Sequence, residues 1–556
     1  MNMRQNIISI VTFCLVTLIT ACRPKVQDCV VPVSEADEPM MRGAFEPTWE
    51  SLEAYETPLW FSRAKFGIWA HWGPQCVEGT GDWMARNLYY EGSEAYNHHV
   101  AEYGHPSEVG FKDILPLFKA ERWDPDSLLA FYKAIGAQYF VALGNHHDNY
   151  DLWDSKYQAW NSMNIGPHRD ILAEWAQAAR RVGLPFGISF HADHAWIWYE
   201  PSQLSDREGA KAGVPYDGNM TKADGDGKWW EGYDPQDLYA QSHPLSEGSE
   251  KSSAIFNQWE WGNGACLPSA EFCTNFYNRT VDAINRYNPD LVYFDATVLP
   301  FWPVSDVGLK IAAHFYNHNM ATHNDSLTGV LFGKMLNEEQ RKALVWDVER
   351  GAPDQILPES WQSCSCIGGW HYNTRIYENN DYKTAATVVK LLVDIVSKNG
   401  NLLLSVPLRA DGTFDEKERA VLTDFGKWMS TNEESIVGTR PWTVFGEGPI
   451  ASMSVEMKAQ GFNEDAFSKA DARDVRFTQT DAALYAIALA WPENGEITIE
   501  TLKSGSTLFP DAITHVELLG YGNVPFVQDE QALRVTLPKT NDGEIAPVLK
   551  IKKTCF

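Results

Sequence analysis

The run LVYFD (Leu291–Asp295) sets the reading of the whole chain, because four apolar residues end there on a lone carboxylate. Four further runs share the form: FGIWA (Phe66–Ala70) before His71-Trp72-Gly73, YFVALG (Tyr139–Gly144) before Asn145-His146-His147-Asp148, FGISF (Phe186–Phe190) before His191, and ALVWDV (Ala343–Val348) before Glu349-Arg350-Gly351. Short, unbroken apolar runs separated by amphipathic stretches read as parallel strands, buried on both faces and alternating with helices. Polar residues gathered at the carboxyl ends of such strands predict an α/β chain of the (β/α)8-barrel type, with its active site on that face.

The segments between the runs agree. Trp123-Asp124-Pro125-Asp126 is a helix start, with Asp124 at the cap and Pro125 in the first turn, and the helix should end at Gly136. Asp170–Val182 reads as a helix stopped by Gly183, and Asn275–Tyr287 as the helix feeding the strand before Asp295. Thr384–Ser397 is an amphipathic helix, Asn401–Pro407 a buried strand and Asp415–Thr431 a closing helix. Between His191 and about Phe272 lies a long stretch rich in Gly, Asp, Ser and Trp, expected as one wall of a substrate cleft through Trp229, Trp230 and Tyr233. From about Pro441 apolar residues alternate in short strands, which predicts a C-terminal antiparallel β-sandwich. The expected organisation is a barrel over 51–440 and a sandwich over 441–556.

The amino-terminal end has Arg4, the apolar stretch Ile7–Ile19 and then Ile19-Thr20-Ala21-Cys22. This is the form of a signal peptide over 1–21 closed by a lipobox, with Cys22 lipidated and 22–50 a tether; an ordinary signal or an uncleaved anchor is the alternative. The implied location is an exported, membrane-anchored lipoprotein, periplasmic or on the cell surface, touching the membrane only through its lipid. A formal charge of −28 argues against nucleic acid and makes anionic polymers unfavourable partners. Aromatic residues form 13% of the chain, including 22 Trp, which suits a carbohydrate cleft, where the apolar face of a pyranose lies on such rings. Beyond Cys14 and Cys22 seven cysteines remain, of which Cys266 and Cys273 are the nearest plausible pair. Cys364-Ser365-Cys366 has no second matching pair, so no zinc site is expected there.

Adjacent His146 and His147 at a strand end point in different directions, which suits hydrogen bonding to vicinal sugar hydroxyls, with His71 arriving from the first strand, better than a mononuclear metal site. Asp295 stands where a nucleophile or general base belongs, although a helix cap or a salt-bridge partner would also fit. Glu349 holds the equivalent place on a later strand. Two carboxylates on separate strands of one barrel point to glycoside hydrolysis, one as nucleophile or base and the other as acid.

The chain resembles family 29 α-L-fucosidases from about Pro58 to Trp442, with a C-terminal sandwich of the usual kind. The likeness is carried by Trp60-Phe61, Ala64-Lys65-Phe66-Gly67, His71-Trp72-Gly73, Trp123-Asp124-Pro125-Asp126, His146-His147-Asp148, Leu152-Trp153-Asp154-Ser155, Arg169-Asp170, Asp290–Asp295, Ser397–Leu404 and Asp411-Gly412. The resemblance implies a retaining exo-hydrolase that removes terminal α-L-fucose from oligosaccharides or polysaccharides through a covalent fucosyl-enzyme, with no metal and no cofactor. It implies Asp295 as nucleophile and His71, His146 and His147 as fucose-binding residues. Asp82 and Trp83 stand where the family usually has Glu-Trp; His191, Tyr293 and Trp370 complete the expected sugar-contacting set. Ala296 replaces a glycine after the nucleophile, Tyr293 a tryptophan before it, and Phe190-His191 a Tyr-Ser pair. Trp361-Gln362 replaces the Trp-Glu that supplies the acid/base in many members, and glutamine cannot give up a proton and take it back. Glu349 is then the expected acid/base, ahead of Glu359, and a non-catalytic glycan-binding lipoprotein on the same barrel is the competing reading. Metal-dependent hydrolysis is a third.

Overall fold

A computed structural model describes residues 31–33, 37–453, 461–510, 512–539 and 545–552. The expected signal peptide, Cys22, Cys29 and Cys555 lie outside the described residues.

Eight parallel strands close into a barrel: β1 (Phe66–Ala70), β2 (Tyr139–Asn145), β3 (Phe186–Phe190), β4 (Leu291–Phe294), β5 (Val330–Gly333), β6 (Val345–Glu349), β7 (Trp361–Cys366) and β8 (Gly400–Ser405). The five runs and Asn401–Pro407 all form strands. The other two went unforeseen for physical reasons. VLFG of β5 is only four residues long, and WQSCSC of β7 is polar because Gln362 and Cys364 meet a buried carboxylate inside the barrel instead of an apolar layer.

The helices start and stop where their caps stand. Asp124 accepts from the Ser127 amide ahead of Pro125–Ala134, Asp170 from Ala173 ahead of Ile171–Val182, and Thr384 from Thr387 ahead of Ala385–Ser397. Gly183 ends the second of these at φ 68°, a left-handed conformation glycine adopts at little cost. The helix into β4 starts earlier than expected, at Ala270, since Ser269 caps it. A buried helix, Val307–Thr322, was not foreseen.

Beyond the barrel lie nine strands: β9 (Arg440–Glu447), β10 (Val475–Gln479), β11 (Ala483–Ala488), β12 (Glu496–Ile499), β13 (Val516–Leu518), β14 (Gly522–Asn523), β15 (Phe526–Gln528), β16 (Leu533–Thr536) and β17 (Val548–Lys552). They form antiparallel sheets in the orders β14-β13-β17-β11-β10-β9 and β12-β16-β15, around a core that includes Trp442, Phe477, Ile497, Val535 and Leu549. At the joint with the barrel, Arg476 of β10 donates to one oxygen of Asp394 at 2.6 Å while Lys398 donates to the other at 2.7 Å, all three buried.

Two expectations are corrected. Residues 31–33 and 37–50 are anchored on the barrel's outer helix Val307–Thr322 and not a free tether: Val31, Met40 and Phe45 are buried, and the amides of Met41 and Phe45 donate to His314 and Asn317 of that helix at 2.9 and 3.0 Å. Cys266 and Cys273 are both free thiols, because Cys273 is buried on its helix whereas Cys266 lies in the loop ahead of it. Among the described residues no helix is long and apolar enough to cross a membrane.

Candidate active site

Every strand delivers a polar group at its carboxyl end: His71 after β1, His146 and His147 after β2, His191 after β3, Asp295 after β4, Lys334 after β5, Glu349 closing β6, Trp370 and His371 after β7, and Ser405 closing β8. Side chains two apart on a strand share a face, so an inward-facing residue at a strand's end has another inward residue beneath it. Tyr293 lies under Asp295, and Asp347 under Glu349. A cleft of about 380 Å³ opens above them, with Trp69, His71, Asp82, Trp83, His146, Asp295, Glu349 and Trp370 among its lining.

Asp295 is held from three sides. His147 Nε2 lies 3.1 Å from Oδ2, His191 Nδ1 3.4 Å from the same oxygen, and the Lys334 ammonium contacts Oδ1. The same ammonium donates to Glu349 Oε2 at 2.7 Å. One nitrogen touching both carboxylates limits their nearest oxygens to two hydrogen-bond lengths, roughly 5.5–6 Å at most. Burial would raise the Asp295 carboxyl, but Lys334 and the two imidazoles outweigh it and hold it well below the usual range. Glu349 is raised, first by burial and then by the Asp295 charge, against the pull of Lys334. The two carboxyls are thus driven apart in proton affinity, Asp295 downward and Glu349 upward.

Around the cleft the histidines are oriented by neighbours. Gln75 Nε2 donates to His146 Nδ1 at 2.7 Å, and His71 Nδ1 meets Ser405 Oγ at 2.9 Å. Burial, followed by neighbouring imidazoles, pushes both well below the ordinary histidine value, and burial takes His191 down to about 4. Asp82 accepts from His371 Nδ1 at 2.8 Å. Trp83 occupies the left-handed region at φ 61°, unusual for a bulky residue. His71, His146 and His191 bring nitrogens within 4.8 Å of one another; a cation would compete there with sugar hydroxyls for the same atoms.

His147, His191 and Tyr293, expected to contact sugar, sit beneath the cleft. His147 donates through Nδ1 to the His191 carbonyl at 2.6 Å and spends its other nitrogen on Asp295. Tyr293 is fully buried and donates to Asp347 Oδ2 at 3.0 Å. Gln362 is the second residue of β7, low in the barrel, donating to Asp347 Oδ1 and accepting from Tyr139, each at 2.8 Å. Its place in the fold gives it no reach to the cleft. Glu359 is exposed and precedes β7, at the barrel end opposite Asp295. Arg350 turns outward to Glu464 at 2.7 Å.

The long insertion does wall the cleft, but through Phe256, Asn257, Trp259, Glu260 and Asn263. Trp230 is buried elsewhere, Trp229 donates to Asp113 and Tyr233 packs on Trp160. Phe462, from the segment following β9, completes the rim. Lys334 was legible in principle, since VLFGK has the same form as the five runs.

The sequence matches the family profile described as Alpha-L-fucosidase over residues 33–434 and the Alpha-L-fucosidase C-terminal domain over 469–552. The chain belongs to the alpha-L-fucosidase family. It is a glycoside hydrolase by that membership. Tissue alpha-L-fucosidase of Homo sapiens is 26% identical over 515 residues, covering 89% of this chain and 88% of that one; the Bos taurus protein of the same name is 25% identical over 494 residues, covering 86% and 83%. Among solved structures, Thermotoga maritima alpha-fucosidase in complex with a mechanism-based inhibitor superposes with a TM-score of 0.65 at 23% identity, covering 92% of this chain and all of that one. A Bacteroides thetaiotaomicron alpha-L-fucosidase trapped as a covalent intermediate gives 0.57 at 17% identity, covering 92% and 98%. The family assignment agrees with the barrel and the sandwich.

Proposed function

We propose that the chain is a retaining exo-α-L-fucosidase, cleaving terminal α-L-fucose from glycans through a covalent fucosyl-enzyme. The observation that carries this reading is the Lys334 ammonium in contact with both Asp295 and Glu349. Carboxyls about 5–5.5 Å apart suit a retaining double displacement, whereas an inverting enzyme needs room for water between them. Asp295 attacks the anomeric carbon as the bond to the leaving oxygen breaks, and Glu349 gives its proton to that oxygen. Esterified Asp295 no longer neutralises Lys334 or repels charge from Glu349. Both changes favour ionised Glu349, which takes a proton from water as that water attacks the anomeric carbon and frees Asp295. His71 and His146, with Asp82, Trp83 and Trp370, surround the sugar, while His147 and His191 hold the nucleophile.

The competing binding-only reading drew its support from Gln362, which lies below the reacting position. Release of nitrophenol from a nitrophenyl α-L-fucoside by the native chain, and none by Asp295→Gly, is the expected result. A 2-deoxy-2-fluoro fucosyl donor should label Asp295; a label on another carboxylate would overturn the assignment. Chelators should leave the rate unchanged. The residues Ile19-Thr20-Ala21-Cys22 support export as a lipid-anchored protein, and Cys22→Ala should abolish incorporation of labelled fatty acid.

A further inference from the structure

Five rings stack in a ladder that runs from the interior to the mouth of the cleft. Trp261 and His194 lie 5.6 Å apart at 25°, His194 and Trp259 3.9 Å apart at 9°, Trp259 and Trp83 5.8 Å apart at 13°, and Trp83 and Phe256 5.6 Å apart at 24°. Burial falls along it: Trp261 and His194 are buried, Trp259 and Trp83 half-buried, and Phe256 is 69% exposed. A single exposed phenylalanine means little. Here Phe462, 50% exposed, and Met335, 39% exposed, line the same opening. They come from three separate parts of the chain: the insertion after β3, the loop after β5 and the segment after β9. Scattered surface residues do not converge in this way, whereas binding sites do.

The same lining includes Asn257, Glu260, Asn263 and Thr297, which offer both donors and acceptors. Among the described residues lining the cleft the one cation is Lys334, already engaged by Asp295 and Glu349.

We propose that this rim is the leaving-group subsite, and that it takes a neutral pyranose whose C–H face lies on Phe256 and Phe462 as the next rung of the ladder. The inference rests on the retaining exo-fucosidase reading, which places the leaving oxygen beside Glu349 and sends its sugar out through this mouth. Axial C–H bonds carry the small positive charge that an aromatic face attracts. Amides and hydroxyls at the rim meet ring hydroxyls. A sulfate on that sugar would face Glu260 with no unengaged cation lining the cleft to receive it.

The test compares α-L-fucosyl fluoride, whose leaving group needs neither subsite nor acid, with neutral fucosyl disaccharides and their sulfated counterparts. Phe256→Ala and Phe462→Ala should each lower kcat/KM on the neutral disaccharides about tenfold and leave the fluoride within about twofold of the native chain. Phe256→Trp should restore the disaccharide rate. Unchanged disaccharide rates in both alanine variants would overturn the subsite. So would preference for the sulfated substrates, or a native chain that hydrolyses the fluoride and none of the neutral disaccharides. A native chain inert to the fluoride would overturn the proposed reaction itself, and the subsite with it.

Discussion

Lys334 faces two carboxylates with opposite needs, and its ammonium lowers the proton affinity of both. Removing it in Lys334→Met raises both. The acid limb of the kcat/KM profile, where Asp295 must ionise, and the alkaline limb, where Glu349 must keep its proton, should then both move to higher pH. A loss of about 100-fold at the optimum is expected for an electrostatic group of this kind, and Lys334→Arg should retain the native limbs; an unmoved profile would leave Lys334 a purely structural part. For the acid/base, azide should rescue Glu349→Ala on a fucoside with a good leaving group and give β-fucosyl azide, while Glu359→Ala behaves as native; rescue of the Glu359 variant instead would transfer the role. Asp148, under the site, is pushed up to about 7 by burial, against about 3.9 in an unfolded chain. The folded state therefore holds a proton that the unfolded state releases, and stability falls as pH rises from about 4 through 7. Denaturant unfolding of Asp148→Asn should lack that slope, worth on the order of 4 kcal/mol; parallel curves would show that Asp148 ionises normally. Such residues were legible from sequence wherever they follow an apolar run, as Asp295, Glu349 and His71 do. His147 and Tyr293 were legible as site residues but not as supports, because strand alternation gives a face without giving a depth. Phe256 and Phe462 follow no pattern at all, being placed by loops.

Elements were readable in proportion to how apolar and how well capped they are. Asp124, Asp170 and Thr384 mark helix starts that the backbone obeys. β7 hides because its inward positions bond to Asp347, so a buried strand reads as polar. The segment Gly461–Glu464 shows the same limit: it is held by backbone groups, which leave no trace in composition, and by side chains distant in sequence. Phe462 N donates to the Glu349 carbonyl at 2.8 Å, Asn463 N to that of Arg350 at 3.1 Å, and Ser365 Oγ to Glu464 at 2.6 Å. Gly461 sits at φ 139°, and a Cβ there would lie 2.2 Å from the Glu349 carbonyl oxygen. Gly461→Ala should lower stability by about 1–3 kcal/mol and reduce kcat on aryl fucosides, as read by thermal unfolding and steady-state rates. Native kcat in that variant would show that the pairing does not set Glu349.

Across the whole molecule, barrel and sandwich share a buried charge cluster, Asp394 with Lys398 and Arg476. Deleting one member of such a cluster leaves charge without its full complement, which costs about 3–5 kcal/mol. Arg476→Met should lower the melting temperature of barrel and sandwich together in one transition; a sandwich that melts alone, with fucosidase activity kept, would show that the joint is not shared. The two-part organisation was visible in the change of strand pattern near Pro441.

That border divides the fold but not the chemistry. A chain cut after the helix Glu416–Asn432 would keep Asp295, Lys334 and Glu349, yet strip the backbone partner from Glu349 and the counter-charge from Arg350. Grafting another relative's C-terminal module onto this barrel would replace the groups that seat Glu349, so, with Glu349 as the proposed proton donor, the smallest inheritable catalytic unit is longer than the barrel that bears it.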